Sequence, residues 1–184
     1  MSLLKGQFLV ASPELLDPNF ARTVLLLFEH NKQGAAGVIL NRPTAATISD
    51  ISEHVFSERF DWEKSLCFGG PVIGPLLILH TDEDLADQEI VPGLYSTIDA
   101  VKVQVLLRRR AEPSLVIANY AGWGPGQLEA EIKEGSWSTT PATLDRAFDS
   151  RDEVAWAEIA EIAEAGKMPN VLGIREVPTD PSLN

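Results

Sequence analysis

Two runs early in the sequence, Val24 to Phe28 and Ala35 to Leu40, are apolar at almost every position, and the polar tip Asn31-Lys32-Gln33-Gly34 lies between them. Each run is too short for an ordinary helix, is rich in branched side chains and is bounded by turn residues, so both are read as strands. Gly34 adopts positive φ at little cost, which makes the connection a hairpin turn. A strand with one wet face alternates apolar and polar residues, and these do not. The hairpin is therefore expected to be a central pair, covered on both faces.

Shorter patterns fill the remainder. Gln7 to Ala11 predicts a first strand, ended by Ser12-Pro13 because proline removes a ladder donor. Pro43 is read as the end of the second hairpin strand. Thr47 then caps a helix through Val55, with Ile48, Ile51 and Val55 on one face. Leu66 to Phe68, running into the Gly69-Gly70-Pro71 turn, Leu76 to His80, and Gly93 to Ser96 predict strands, with Asp82 to Glu89 an acidic loop. Asp99 to Arg110 predicts a helix whose face holds Val101, Val105 and Leu106, widened by Val103 and Leu107. Ser114 to Tyr120 predicts a strand, and the glycine-rich turn Gly122 to Gly126 leads into a helix, Gln127 to Lys133, stopped by Gly135. Trp137 to Thr140 is extended, Thr143 to Phe148 a short helix, and Asp152 to Ala165 a final helix docking through Trp156, Ile159, Ile162 and Ala163. The tail after Val177 is expected to fray. This order lacks the strict strand–helix alternation of a doubly wound fold. It predicts an α/β (α+β) chain with a mixed sheet flanked by helices.

Size and composition narrow the class. The 184 residues are expected to form a single domain, with a small sheet-rich lobe contributed by the middle of the chain. The net charge is −12, and it is uneven. Residues 1–43 hold four basic and three acidic side chains, whereas the remaining 141 hold eleven and twenty-four. A field of that sign repels nucleic acid and anionic membranes, so direct nucleic-acid binding is not expected. One cysteine, Cys67, permits no internal disulfide, and the apolar strand around it predicts an inert core thiol. No signal peptide or run of about twenty apolar residues is present, so a cytoplasmic protein without a membrane span is expected.

Candidate chemistry gathers at strand ends. His30 follows Glu29, and His80 precedes Asp82 and Asp84. Histidines with acids suit metal ligation or proton transfer. With no HxH or HExxH spacing, the plainer reading is that each caps its strand and bonds a loop backbone. His54 is expected at the surface. Arg42 suits a carboxylate or phosphate, or else an ion pair with an acidic loop, while Asn41 is read as a turn residue. The stretch Asn119 to Glu131, NYAGWGPGQLEAE, has a glycine-rich turn before a helix, as phosphate cradles do. It fails their spacing, since Gln127 stands where a dinucleotide fingerprint needs glycine and no Lys-Ser/Thr follows. Tight packing around Tyr120 and Trp123 is the alternative. Ser136 and Ser138 lack a G-x-S-x-G elbow. Arg108-Arg109-Arg110 lies at a helix C-terminus, where cations are favoured, and is read as a solvated cap.

The segments FLVASPEL, DPNF, EHNKQGAAGVILNRP, FGGPV, LILHT, YAGWGPGQLEAEI and STTPA, together spanning Phe8 to Ala142, resemble the YqgE/AlgH family of bacterial proteins. The resemblance implies a mixed, partly barrel-like sheet with helices. It implies no established reaction, and the family's label of transcriptional regulator names no DNA-binding element. The family's recurrent residues that would line a shared surface are here His30, Asn41, Pro43, His80, Tyr120, Trp123, Gln127 and Glu129. Asn119 departs from the glycine common before the tyrosine. The expectation is a non-enzymatic binding or regulatory protein acting on transcription indirectly, through a small ligand or an unidentified protein partner. Its candidate binding surface is His30, Asn41, Arg42, His80, Tyr120, Trp123 and Gln127, with no catalytic residue, metal or cofactor assigned. The alternative is a hydrolase or metal-dependent enzyme built on the two strand-end histidines.

Overall fold

The structure, a computed structural model, describes residues 4–149 and 153–167. Its strands are β1 (Gln7–Ala11), β2 (Val24–Asn31), β3 (Gly34–Ile39), β4 (Pro43–Thr47), β5 (Ser65–Phe68), β6 (Leu77–His80), β7 (Gln88–Val91), β8 (Leu94–Thr97), β9 (Leu115–Ala118), β10 (Ala121–Trp123) and β11 (Trp137–Pro141). Its helices are α1 (Ile48–Phe56), α2 (Ala100–Arg108), α3 (Gln127–Lys133), α4 (Leu144–Asp149) and α5 (Glu153–Lys167). The expected tail after Val177 lies outside the described residues.

The strands divide into a five-stranded antiparallel sheet, ordered β10-β3-β2-β1-β11, and a six-stranded mixed sheet, ordered β4-β5-β9-β6-β8-β7. The parallel pair of the second sheet is β5–β9. The α+β class and mixed pairing match the expectation, and the sheets pack against each other without closing a barrel. The hairpin β2–β3 is central, as its unbroken apolar runs predict. Consecutive side chains leave opposite faces of a strand. Phe8, Val10, Val24, Leu26, Val38 and Leu40 therefore enter the core between the sheets, beside Cys67, Leu77, Leu79, Leu94, Leu115 and Ile117. Leu9, Ala11, Leu25, Leu27 and Ile39 face outward into a second cluster with Trp123, Leu128 and Trp137. Burying each such leucine or valine stabilises by about 1.5–3 kcal/mol. A third cluster lies on the far face of the second sheet, under α1 and α2. Ile159 and Ala163 of α5 join the inner core, and Trp156 donates its indole N–H to Ala11 O at 3.0 Å.

Four expectations are corrected. Pro43 opens β4, pairing with Cys67, because proline is tolerated as the first residue of an edge strand. The end of the acidic loop, Gln88 and Glu89, belongs to β7, which pairs with β8. The start of the glycine turn, Gly122 and Trp123, belongs to β10, which pairs with β3. Each helix also buries only part of its expected face, with Ile48 and Ile51 of α1 and Val103, Leu106 and Leu107 of α2 joining the third cluster. Thr47 and Asp50 form the capping box that starts α1, but α1 buries Ile48 and Ser52 and leaves Val55 54% exposed. Similarly, α2 buries Val103, Leu106 and Leu107 and leaves Val101 70% exposed. Ser52 is drawn inward because its Oγ accepts from the buried N–H of Phe60 at 3.0 Å.

Candidate functional site

Most of the polar side chains singled out in the sequence are bound up within the fold. His30 Nδ1 accepts from Leu4 N–H at 2.9 Å, which leaves the ring proton on Nε2 to face Glu129 Oε1 at 3.0 Å. That bond helps hold Glu129 below the usual carboxylate range, behind a larger contribution from its own backbone N–H. His80 Nδ1 accepts from Asp82 N–H at 3.1 Å, so Nε2 donates to Thr97 Oγ1 at 2.8 Å, and that hydroxyl donates to Leu85 O at 2.6 Å. Each histidine thus accepts from a loop backbone N–H near the end of its strand. Asn41 Oδ1 accepts from Val24 N–H and its Nδ2 donates to Arg22 O, both at 2.9 Å. Arg42 donates to Ala21 O at 2.7 Å and Pro18 O at 3.3 Å, gathering loop carbonyls where an anion or an acidic loop was expected.

The turn before α3 is equally self-contained. Gln127 Oε1 accepts from Gly124 N–H at 3.0 Å and its Nε2 donates to Glu131 Oε1 at 2.9 Å. The other oxygen of Glu131 accepts the indole N–H groups of both Trp123 and Trp137 at 2.9 Å. The two indoles meet edge to face at 6.1 Å, with Phe20 packed on each. Trp123 and Trp137 belong to opposite edges of the five-stranded sheet, so this one carboxylate holds those edges together.

Open space exists elsewhere. A groove of ≈ 670 Å³ runs between the β2–β3 hairpin and the second sheet. Tyr120 and Trp123 line it; His30, Asn41, Arg42, His80 and Gln127 do not. Three local features shape it. The first is a register shift between Leu27 and Glu29 of β2, which frees the Phe28 carbonyl to accept from Gln88 Nε2 of β7 at 2.8 Å. The second is the tight contact of the Gly69–Pro75 loop with Tyr120. Gly70, at φ +153°, lies where a Cβ would be 2.3 Å from the Tyr120 carbonyl, so only glycine allows the contact. The third is Asn119, at φ +66° between β9 and β10. Asparagine is one of the few residues besides glycine that visits this region readily, so the departure from glycine keeps a turn-compatible backbone.

Phe28, Leu77, Val72, Pro75 and Ile98 supply an apolar lining, and Asn31, Gln33, Ser96 and Asn119 supply neutral polar groups. The charged lining residues are Glu29 and Asp87, and no Lys, Arg or His lines the groove. Val72 and Ile98 remain 36% and 50% exposed, and neighbouring Ile73 89% exposed. Val72 and Ile73 carry one sequence signal, namely apolar side chains inside a Gly-Pro loop, whereas Ile98 stands in the short connection between β8 and α2. Among the described residues, no group of three or more His, Cys, Asp or Glu is arranged to hold a metal ion. Cys67 is buried, with its thiol 3.7 Å from Leu40 O. Arg108 forks onto Glu58 at 3.0 and 2.5 Å, Arg109 approaches Asp82 at 3.5 Å, and Arg110 approaches Asp61 at 3.9 Å. The basic cluster therefore faces carboxylates. No helix among the described residues is long and apolar enough to cross a membrane.

Comparison with known proteins finds a family model described as AlgH-like matching residues 8–166. A UPF0301 protein of Chlorobaculum tepidum is 38% identical over 161 residues, covering 84% of each chain. A UPF0301 protein of Streptomyces avermitilis is 35% identical, covering 100% of this chain and 97% of its own. Among solved structures, the AlgH protein of Pseudomonas aeruginosa superposes with a TM-score of 0.72 at 31% identity, covering 96% of this chain and 95% of its own. A protein of Corynebacterium diphtheriae shares the fold, with a TM-score of 0.70 at 22% identity over 93% of this chain and 90% of its own.

Proposed function

We propose, for a chain that belongs to the AlgH-like family, that it works as a non-catalytic binding protein whose site is the groove between the β2–β3 hairpin and the second sheet. The groove itself carries this reading. It pairs a volume suited to a ligand with exposed apolar walls and a few neutral polar groups, the usual make-up of a binding site. With acids and no cations in its lining, it favours ligands that are neutral or positively charged. Tyr120 and Trp123 are the members of the sequence-derived surface that this site retains. The hydrolase or metal-enzyme alternative gains no support, because both ring nitrogens of His30 and of His80 are already hydrogen-bonded within the fold.

A regulatory role, indirect where transcription is concerned, follows naturally for a protein that senses a ligand or partner without transforming it. A cytoplasmic location belongs to the same proposal. A fragment library screened by amide NMR is expected to shift the resonances of Ala35, Gly122 and Ser96, with hits combining an apolar body and a neutral or cationic group. Ile98→Ser and Tyr120→Ala are each expected to weaken those hits about tenfold. Hits scattered over other surfaces, or hits indifferent to Ile98→Ser, refute the groove as the site.

A further inference from the structure

We infer that the groove takes an extended peptide segment, carrying a basic residue among apolar ones, as an added strand on the outer edge of β10. This inference rests on the groove being the binding site. The backbone directions come from one bridge beside β10. Tyr120 N–H donates to Val72 O at 3.0 Å, and Val72 N–H donates to Tyr120 O at 2.9 Å. Alternate residues of an antiparallel strand direct both backbone groups to the same side. Gly122, two residues on, therefore presents its N–H and C=O to that same outer side, away from β3.

Gly122 is exposed and lines the groove, and among the described residues no backbone group answers it from that side. A Cβ there would meet nothing closer than the Tyr120 ring at 3.6 Å. A side-chain-free residue with an open donor–acceptor pair leaves room for a second backbone to approach. An added strand gains affinity from main-chain hydrogen bonds and specificity from alternate side chains. Here one set of side chains meets the apolar wall of Val72, Ile98 and Phe28.

Charge selects the class of segment. Asp87 is occupied, accepting from Lys102 Nζ at 2.7 Å and from the N–H groups of Ile98 and Asp99 at 2.8 and 2.9 Å. Glu29 is the lining carboxylate that remains to face a cation, with Asn31 Nδ2 on its Oε1 at 2.8 Å. The net charge of −12 steers positively charged segments toward the protein and acidic ones away.

The test uses end-capped heptapeptides in which valine alternates with lysine, glutamate or serine, titrated into the full chain and followed by amide NMR. The lysine peptide is expected to shift Gly122 and Ala36 and to bind about tenfold more tightly than the glutamate peptide. Gly122→Pro removes the outward N–H, a change an edge strand tolerates, and is expected to weaken the lysine peptide about tenfold. Should that variant fold poorly, the lysine peptide N-methylated at its central residue is expected to show the same loss on the unmodified protein. Glu29→Lys is expected to reverse the lysine–glutamate preference. Equal binding of the two charged peptides, or no loss with Gly122→Pro and the N-methylated peptide, overturns the inference. If no peptide shifts a groove amide while the fragments still do, edge pairing is refuted and the groove survives as a site. If neither shifts one, both readings fall.

Discussion

His80 is a buried titratable residue whose two ring nitrogens are both engaged within the fold. Burial pushes its pKa below the ordinary 6.5, outweighing the upward pull of the Asp82 and Asp87 carboxylates. A depressed histidine pKa means that the unfolded chain binds the proton more readily than the folded one. Its contribution is therefore present in full above pH 6.5 and is lost as pH falls through the folded value. Urea midpoints are expected to drop between about pH 7.5 and about pH 5.5, and to drop less steeply in His80→Gln. The same slope in both proteins would place that titration elsewhere. At neutral pH the substitution itself is expected to cost about 1–3 kcal/mol, because it disturbs the partners of Thr97 and Asp82. The sequence showed which residue types stand at strand ends, but their partners lie far along the chain. Glu129 is 99 residues from His30, and Thr97 is 17 from His80. The groove was less legible still, since its walls come from segments that only the packing of the two sheets brings together.

At the scale of elements, legibility followed position within the sheet. Central strands β1, β2, β3, β6 and β9 were all visible as apolar runs, because both of their faces are buried. Three of the four edge strands, β4, β7 and β10, were read as a strand end, a loop and a turn. An edge strand has one neighbour and often one dry face, so its pattern is weak, and Pro43, Glu89 and Gly122 weaken it further. The fourth edge, β11, was legible through Trp137. That tryptophan and Trp123 both depend on Glu131, which gives α3 a structural role beyond its length of seven residues. Glu131→Ala is expected to cost about 1–3 kcal/mol by stranding two indole N–H groups, and to change tryptophan emission in the folded state. An unchanged urea midpoint would show that Leu128 packing alone holds the helix.

For the whole molecule, the decisive feature is the core shared by the two sheets, in which Phe8, Leu26 and Val38 of one meet Leu79, Leu94 and Ile117 of the other. Neither sheet keeps its inner face dry without its partner. Far-UV circular dichroism and tryptophan fluorescence are therefore expected to report one coincident urea transition. The tryptophans sample both outer clusters, with Trp62 on the second sheet's side and Trp123 and Trp137 on the first's. A separate early transition seen by either probe would divide the molecule into independent units. The same arrangement explains why the middle of the chain reads as sheet-rich while its strands still pack on the N-terminal hairpin.

The unbroken apolar run of β2 has a consequence for how the chain finds its way. Val24 to Leu27 alternate between two cores that are both apolar, so a hairpin slipped by one residue would send each side chain to the wrong core without exposing a polar group. Hydrophobicity glues this pair together but barely distinguishes correct from mistaken pairing. The distinction rests on the Phe28 bulge caught by Gln88, the tight turn at Lys32-Gln33, and the Asn41 side chain that spans Arg22 and Val24. A few polar bonds thus act as proofreaders that single out the native register.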